Sequence, residues 1–242
     1  MEKWLSLDKR IETVKENCKI IREDIEKAAC ESGRSAADVR FMAVTKTVEP
    51  VLINAALEEG IDLIGENRVQ EYLGKAPELH LEGVEKHLIG HLQKNKVRQI
   101  VGKVDMIESV DSVALAAEIA KRSALAGITT PVLLEGNIGS EASKFGFPAD
   151  RLEEALAAIA EMESIEVRGL MCIPPMSEKK EENRQFFSQM HQLYIDFSSK
   201  IFNNINMNVL SMGMSADYRE AILEGSTLVR VGSALFGERI YR

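Results

Sequence analysis

A parallel α/β barrel is the fold class this 242-residue sequence predicts, on three observations. Short apolar runs alternate with amphipathic segments, the signature of strand–helix units joined by crossovers. Eight such units can be counted, and eight parallel strands can close into a ring that leaves no strand edge open. The turn after the first run, Thr47-Val48-Glu49-Pro50, holds no glycine. The dinucleotide-binding fingerprint of an open doubly wound sheet is therefore missing.

A long helix is expected over residues 6–32, apolar at spacings of three and four, charged on its other face, and stopped by Gly33. Cys18 shares its stripe with Ile11, Val14, Ile21 and Ile25 and reads as a small buried hydrophobe. The first strand is expected over 39–46, with a helix from Pro50 to Gly60. The second covers 62–66, before a helix capped by Asn67, which forms a capping-box pattern with Gln70. The third covers 87–90, with a polar helix over 93–101. The fourth covers 105–108, and Asp111 is placed to cap a helix running to Ala124. The fifth covers 131–138; its helix starts near Pro148 and carries Leu152, Leu156 and Ile159 on one face. The sixth covers 166–171, before a long helix from about Lys180. The seventh covers 208–212, with a short helix over 217–223, and the eighth covers 227–231. No repeat, low-complexity tract or linker interrupts the pattern. Residues 1–242 read as one domain, with residues 1–34 an extra helix packed on the barrel.

Lys plus Arg is 30 and Asp plus Glu is 38, a net charge of −8 that argues against nucleic acid as a partner. Cys18, Cys30 and Cys172 are scattered, and no histidine cluster has metal-ligand spacing, so neither a disulfide framework nor a metal is expected. Met1-Glu2-Lys3-Trp4 lacks the apolar core of a signal segment, and no run approaches the ~20 apolar residues of a membrane helix. A cytoplasmic protein is expected, and its acidic surface is compatible with a monomer.

Lys46 ends the first strand, where a barrel places its active site. Desolvation there would lower its pKa and supply the free amine a Schiff base needs. From position alone, a lysine emerging into solvent is an equal reading. Far along the chain, Ser211-Met212-Gly213-Met214-Ser215 and Arg230-Val231-Gly232-Ser233 follow adjacent strands and look suited to a phosphate. Ser215 also stands where it could cap the helix at Asp217. Each residue alone could be ordinary turn chemistry. A strand-end amine and a phosphate nest are the two anchors that pyridoxal phosphate needs. Arg230 lies in an apolar run and demands a partner: a ligand, or a carboxylate such as Glu66 or Glu135. Asn67 could touch a ligand as readily as cap a helix. His87 reads as a satisfied core group, and Lys94, Lys96 and Lys144 read as surface lysines near the mouth.

Taken together, these residues resemble the pyridoxal phosphate homeostasis protein family, also called the proline-synthetase co-transcribed family. The matching pieces run from about residue 39 onward. They are Ala43-Val44-Thr45-Lys46-Thr47; Gly65-Glu66-Asn67 with Gln70-Glu71; and His87-Leu88-Ile89-Gly90-His91-Leu92-Gln93-Lys94-Asn95-Lys96. Asn137-Ile138, Ser143-Lys144, Gly146-Phe147 and Gly169-Leu170-Met171 follow, then Leu210 through Asp217 and Val229 through Gly237. The resemblance implies a single TIM-type (β/α)8 barrel like the N-terminal domain of alanine racemase, with pyridoxal 5'-phosphate held as an aldimine on Lys46. It also implies that Ser211, Ser215, Gly232 and Ser233, with the backbone of Met214, grip the phosphate. Arg230 would face the pyridine nitrogen and Asn67 would line the ring. Three positions depart from the family's habit: Gly136 where a larger residue is common, the residue before His87, which is often aromatic, and Phe145 where a small one is common.

An arginine cannot accept a proton from the ring nitrogen, so a cofactor facing Arg230 is a weak electron sink. A racemase would also need acid–base groups on both faces of the substrate carbon. In alanine racemases a second, mostly β domain supplies one of them, and the sequence stops about ten residues past the eighth strand. A non-catalytic holder of vitamin B6 is therefore the first expectation, with pyridoxal phosphate-dependent apo-enzymes as recipients. A small amino-acid racemase is the second. A lysine aldolase without the cofactor is the third.

Overall fold

The computed structural model describes residues 6–139, 145–175, 180–200 and 203–237. Its elements follow the expected order. Helix α1 (Leu7–Glu31) leads to β1 (Arg40–Val44), α2 (Pro50–Glu58), β2 (Leu63–Glu66), α3 (Val69–Lys75) and β3 (Glu85–Leu88). Next come α4 (Val97–Ile100), β4 (Met106–Val110), α5 (Val113–Ala126), β5 (Thr130–Asn137), β6 (Phe147–Pro148) and α6 (Leu152–Ala160). The rest are β7 (Ile165–Cys172), α7 (Lys180–Ser198), β8 (Ile205–Met214), α8 (Tyr218–Leu223), β9 (Leu228–Val231) and α9 (Ser233–Phe236).

Every strand pairing is parallel. From β1 to β5 each strand pairs with the next; β5 then pairs with β7, β7 with β8 and β8 with β9, and β9 returns to β1. The ring is thus a closed (β/α)8 barrel. The two-residue β6 lies outside it, attached at Gly136 and Asn137 of β5.

Helix α1 starts at Ser6, whose hydroxyl accepts the Lys9 N–H, and Gly33 (φ 73°) follows its end. Val14, Cys18, Ile21 and Ile25 are buried in one cluster with Ala43 of β1, Val229 of β9 and Leu235 of α9. Burying a Val or Ile side chain contributes about 1.5–3 kcal/mol, so the stripe ties the helix firmly to the barrel wall.

Two further apolar clusters contain residues of strands and their ends but none of helices, and so fill the barrel interior. Met42, Val44, Leu63, Ile89 and Leu228 form one; Met106, Leu133 and Met171 form the other, and Val209 touches both. Side chains two apart on a strand share a face. Glu108, Glu135, Ser211 and Arg230 therefore point inward, one step nearer the C-terminal end than Met106, Leu133, Val209 and Leu228. Hydrocarbon fills most of the lower barrel, where His87 stands level with Met106, and the layer above it is mainly polar.

Several local expectations are corrected. The cap of α5 is Ser112, whose hydroxyl accepts the Leu115 N–H; Asp111 instead bonds His91 Nδ1 at 2.8 Å. Asn67 caps nothing, because α3 starts after Arg68, in extended conformation, with no side-chain cap. The polar segment 93–101 is a 3-10 turn over Lys94–Lys96 followed by the single turn α4. Pro148 ends β6, and a 3-10 turn separates it from α6. Ser215 does not cap α8: Asp217 occupies that position.

Candidate functional site

Lys46 sits two residues beyond β1, half-buried, at the C-terminal mouth of the barrel. The chain turns sharply after it, and Thr47 takes a left-handed conformation (φ 62°). For a β-branched residue this costs about 1–3 kcal/mol and persists only when neighbours enforce it. The enforcing groups are on β2 and α3. Glu71 Oε1 accepts the Thr47 N–H at 2.5 Å. Lys75 Nζ donates to the Thr45 carbonyl at 2.8 Å, to Glu71 Oε1 at 2.6 Å and to Glu66 Oε1 at 3.0 Å. Buried Thr45 adds a hydroxyl bond to Glu66 at 3.2 Å. The residue before Lys46 and the residue after it are therefore both clamped. Burial pushes the Glu66 carboxyl above the usual range despite Lys75. Burial also pushes Glu71 up, but Lys75 and the Thr47 N–H together hold it below that range.

Arg230 is buried within β9. It pairs with neither Glu66 nor Glu135: one terminal nitrogen donates to Ser211 Oγ at 2.6 Å, the other to the Cys172 carbonyl at 2.8 Å. Ser211 Oγ also lies 2.6 Å from Glu108 Oε2, and Glu108 Oε1 lies 2.6 Å from His87 Nδ1. His87 Nε2 faces Glu85 Oε2 at 3.3 Å, and Arg40 pairs with Glu85 at 2.8 Å. His87 and Glu108 are both at most 1 % exposed, so neither has water as an alternative partner. Burial drives the His87 pKa down, but the bonds to Glu108 and Glu85 outweigh it and the net direction is up. Burial drives Glu108 up, and His87, Arg230 and Ser211 hold it down.

The Ser211 side chain is thus engaged inside the barrel, between Arg230 and Glu108. Met214 is also otherwise engaged: its N–H donates to Asp217 Oδ1 at 2.7 Å. Ser215 and Gly232 are brought together, since Ser215 Oγ accepts the N–H groups of Gly232 at 3.0 Å and Ala234 at 3.2 Å. Both of those donors lie at the start of α9, an element the sequence reading missed because it is a single turn. The Ser215 hydroxyl hydrogen remains for an acceptor, and Ser233 is exposed beside it.

The amide oxygen of Asn67 is buried with no hydrogen-bond partner. Such an atom needs a donor, which an ordered water or a bound molecule can supply. Glu135 is 8 % exposed, and its carboxyl has no partner among the described residues; burial, with Asp111 nearby, pushes it up to about 7. At the rim the His91 ring stacks on Phe145 at 3.7 Å between centroids. The space beside Gly136 is taken by Met190 of α7: an added Cβ would lie 2.8 Å from its methyl. Lys94 is exposed and Lys96 half-buried, and Lys144 lies outside the described residues. Two open cavities, of about 340 and 410 Å³, are not lined by Lys46, Asn67, Glu135, Ser215 or Arg230. No group of three metal-ligating side chains occurs among the described residues, nor does a helix long and apolar enough to cross a membrane.

A closed parallel barrel with a clamped lysine after its first strand and an arginine in its last defines the class. The family described as alanine racemase, N-terminal domain, matches residues 14–240. The pyridoxal phosphate homeostasis protein of Aquifex aeolicus is 40% identical over 221 residues, covering 91% of this chain and 96% of that protein. An unknown protein from Bifidobacterium adolescentis, solved by crystallography, superposes with a TM-score of 0.91 at 35% identity, covering 96% of this chain and 97% of its own. PipY of Synechococcus elongatus, solved with pyridoxal phosphate bound, superposes with a TM-score of 0.77 at 32% identity, covering 90% of this chain and all of its own. The chain belongs to the pyridoxal phosphate homeostasis protein family.

Proposed function

We propose that residues 1–242 form one domain that holds pyridoxal 5'-phosphate through the amine of Lys46 and serves intracellular vitamin B6 homeostasis. The observation that carries this reading is Lys46 itself, half-buried after β1 between two clamped neighbours. The pocket fits the cofactor: Asn67 has an amide oxygen awaiting a donor, and Ser215, Gly232 and Ser233 gather where the phosphate would lie. When bound, the cofactor supplies an aldehyde that bonds amines and, in enzymes, an electron sink. Ser215 and Ser233 would hold the phosphate, and Arg230 would face the ring nitrogen. Arginine offers donors only, so no residue there protonates that nitrogen, and holding is favoured over catalysis. Apo-enzymes that require the cofactor are the proposed recipients. The three free cysteines suit a cytoplasmic, reducing setting.

The test is borohydride reduction of the loaded protein followed by peptide mass mapping, with Lys46→Ala as the control. A pyridoxyl tag on Lys46 supports the reading; a tag only on other amines overturns it. A second reading, weak racemase-type proton transfer, is favoured by Glu135, whose carboxyl lies in the range of a general base. Cα deuterium exchange of amino acids at ordinary enzyme rates, lost in Glu135→Gln, would establish it. Tyr218 is a poor candidate for that role, because its hydroxyl donates to Asp24 of α1 at 2.8 Å.

A further inference from the structure

A string of polar groups crosses the barrel interior from its floor to its mouth. Arg40 and Glu85 stand at the N-terminal ends of β1 and β3. His87, Glu108, Ser211 and Arg230 follow from β3, β4, β8 and β9, with the three buried links each 2.6 Å long. Their donors and acceptors follow from the chemistry of each group, with Glu108 ionised and His87 protonated. Arginine can only donate, so Arg230 gives a hydrogen to Ser211 Oγ. The hydroxyl's single hydrogen then goes to Glu108, an acceptor-only carboxylate. The other oxygen of Glu108 accepts from His87 Nδ1, and His87 Nε2 faces the second carboxylate, Glu85. An imidazole between two carboxylates donates from both nitrogens, so the string alternates: cation, anion, cation, anion, hydroxyl, cation. Arg230 has five N–H donors and gives one to Ser211 and one to Cys172. Three remain undonated among the described residues.

We propose that Glu108 and His87, acting through Ser211, are positioning residues that lock Arg230 into one orientation and present its remaining donors to the cofactor's ring nitrogen. The inference rests on the reading of Arg230 as the partner of that nitrogen. A purely structural role fits less well. A purely structural ion cluster could be replaced by well-packed hydrocarbon at little cost, and four neighbouring interior positions one layer below are filled that way. A buried arginine with three donors uncommitted is poor economy for packing alone. The rigidity is the useful property: a guanidinium held at two nitrogens cannot swing away, so the ring nitrogen keeps a donor and stays unprotonated.

The test uses the full-length protein, with and without pyridoxal phosphate carrying a 15N ring nitrogen. Ser211→Ala cuts the string beside Arg230 and removes only a hydroxyl; Ser211→Thr restores it; Glu108→Gln removes the anion. Without cofactor, 15N spectra of the wild type should show His87 protonated on both nitrogens at neutral pH and slowly exchanging Arg230 guanidinium hydrogens. Ser211→Ala should speed that exchange and Ser211→Thr should slow it again. With cofactor, Ser211→Ala and Glu108→Gln should keep the Lys46 tag, shift the ring-nitrogen resonance, and hold the cofactor about tenfold less tightly, the size of one charge-assisted hydrogen bond. Folded variants with wild-type exchange, resonance and affinity would overturn the proposal. If Glu108→Gln does not fold, Ser211→Ala decides the matter alone. A missing Lys46 tag in the wild type defeats the functional reading instead, and the cofactor-free spectra still decide whether the string locks Arg230.

Discussion

Replacing Lys75 by Met tests the account of how Lys46 is presented. The Lys75 ammonium holds three acceptors, and its side chain is 15% exposed against 3% for Glu66 and 20% for Glu71. Removing one partner of a buried ion pair costs about 3–5 kcal/mol, because the other charge is left uncompensated. Partial exposure of Lys75 and the second acceptor bond to Glu66, from Thr45, favour the lower end, about 3 kcal/mol. For a chain of this length that corresponds to roughly 6–12 °C in the melting temperature, at about 2–4 °C per kcal/mol. The pH dependence gives the sharper check. Burial already raises the Glu66 pKa in the folded protein. A carboxyl raised in this way contributes stability that is full below its unfolded value and is lost as pH rises through its folded value. Without Lys75 the folded value climbs further, so the loss should be greatest at neutral pH and shrink on mild acidification. Urea unfolding at the two pH values measures it, and Glu66→Gln in the Lys75→Met background should recover part of it. An equal loss at both pH values, or none, would refute the reasoning. The variant should also form the Lys46 adduct more slowly, since the Thr45–Thr47 turn loses one of its clamps.

Ser215→Ala combined with Ser233→Ala should weaken cofactor retention about tenfold or more by equilibrium dialysis, because charge-assisted bonds to the phosphate are lost; unchanged affinity would put the phosphate elsewhere. Glu135→Gln should stabilise the cofactor-free protein at alkaline pH. The Glu135 carboxyl is raised to about 7, so its stabilising contribution is full below the ordinary carboxylate value and is lost as pH rises through about 7. The variant should exceed the wild type by up to roughly 3 kcal/mol well above that point, at about 1.4 kcal/mol per pH unit, and match it in acid. Tyr218→Phe should cost about 1 kcal/mol in chemical denaturation, the net value of the hydrogen bond that ties α8 to Asp24 of α1.

The barrel was legible because its signal is periodic and repeated. Apolar runs of four to eight residues and amphipathic helices recur in a fixed order, and even the α1 stripe through Cys18 lies where the spacing puts it. The misplacements have local causes. Asp111 and Ser112 are adjacent cap formers, and the choice between them fell to tertiary contact: His91 takes Asp111. Asn67 satisfies a capping pattern, but the chain stays extended through Arg68, one residue too far for the box to close. Single-turn α9 and two-residue β6 carry too few residues for a period to show.

Within the candidate site, Lys46, Arg230 and Ser215 stand out in the sequence by type and position, whereas the hydrogen-bond partners of Ser211 do not. Its hydroxyl goes to Glu108, 103 residues away in sequence. Glu108 had a signal of its own, being a carboxylate inside the apolar run Met106-Ile107-Glu108-Ser109-Val110, the same anomaly that singled out Arg230. Two such anomalies of opposite charge, each two residues beyond an apolar position on its strand, are a readable pair. Lys75 had none, because a lysine on a helix is ordinary until the turn that it clamps is known.

The polar layer divides into groups that folding accounts for and groups that it does not. Glu108, His87, Ser211 and Arg230 compensate one another through short hydrogen bonds. Glu135 and Asn67 are less well compensated: the Glu135 carboxyl has no hydrogen bond among the described residues and only the charge of Arg230 to offset its burial, and the Asn67 amide oxygen is buried without a donor. The unmatched Asn67 oxygen costs the fold roughly 1–3 kcal/mol, and the burial of Glu135 is a cost that shows in its raised pKa. Costs of this kind persist where a bound molecule supplies the missing partner. A ligand that binds the folded state alone stabilises it by mass action, about 2.7 kcal/mol at a hundred times its dissociation constant. The two unmatched groups therefore mark where the pocket is incomplete, and the matched string beneath them marks what is built to stay fixed while that partner comes and goes.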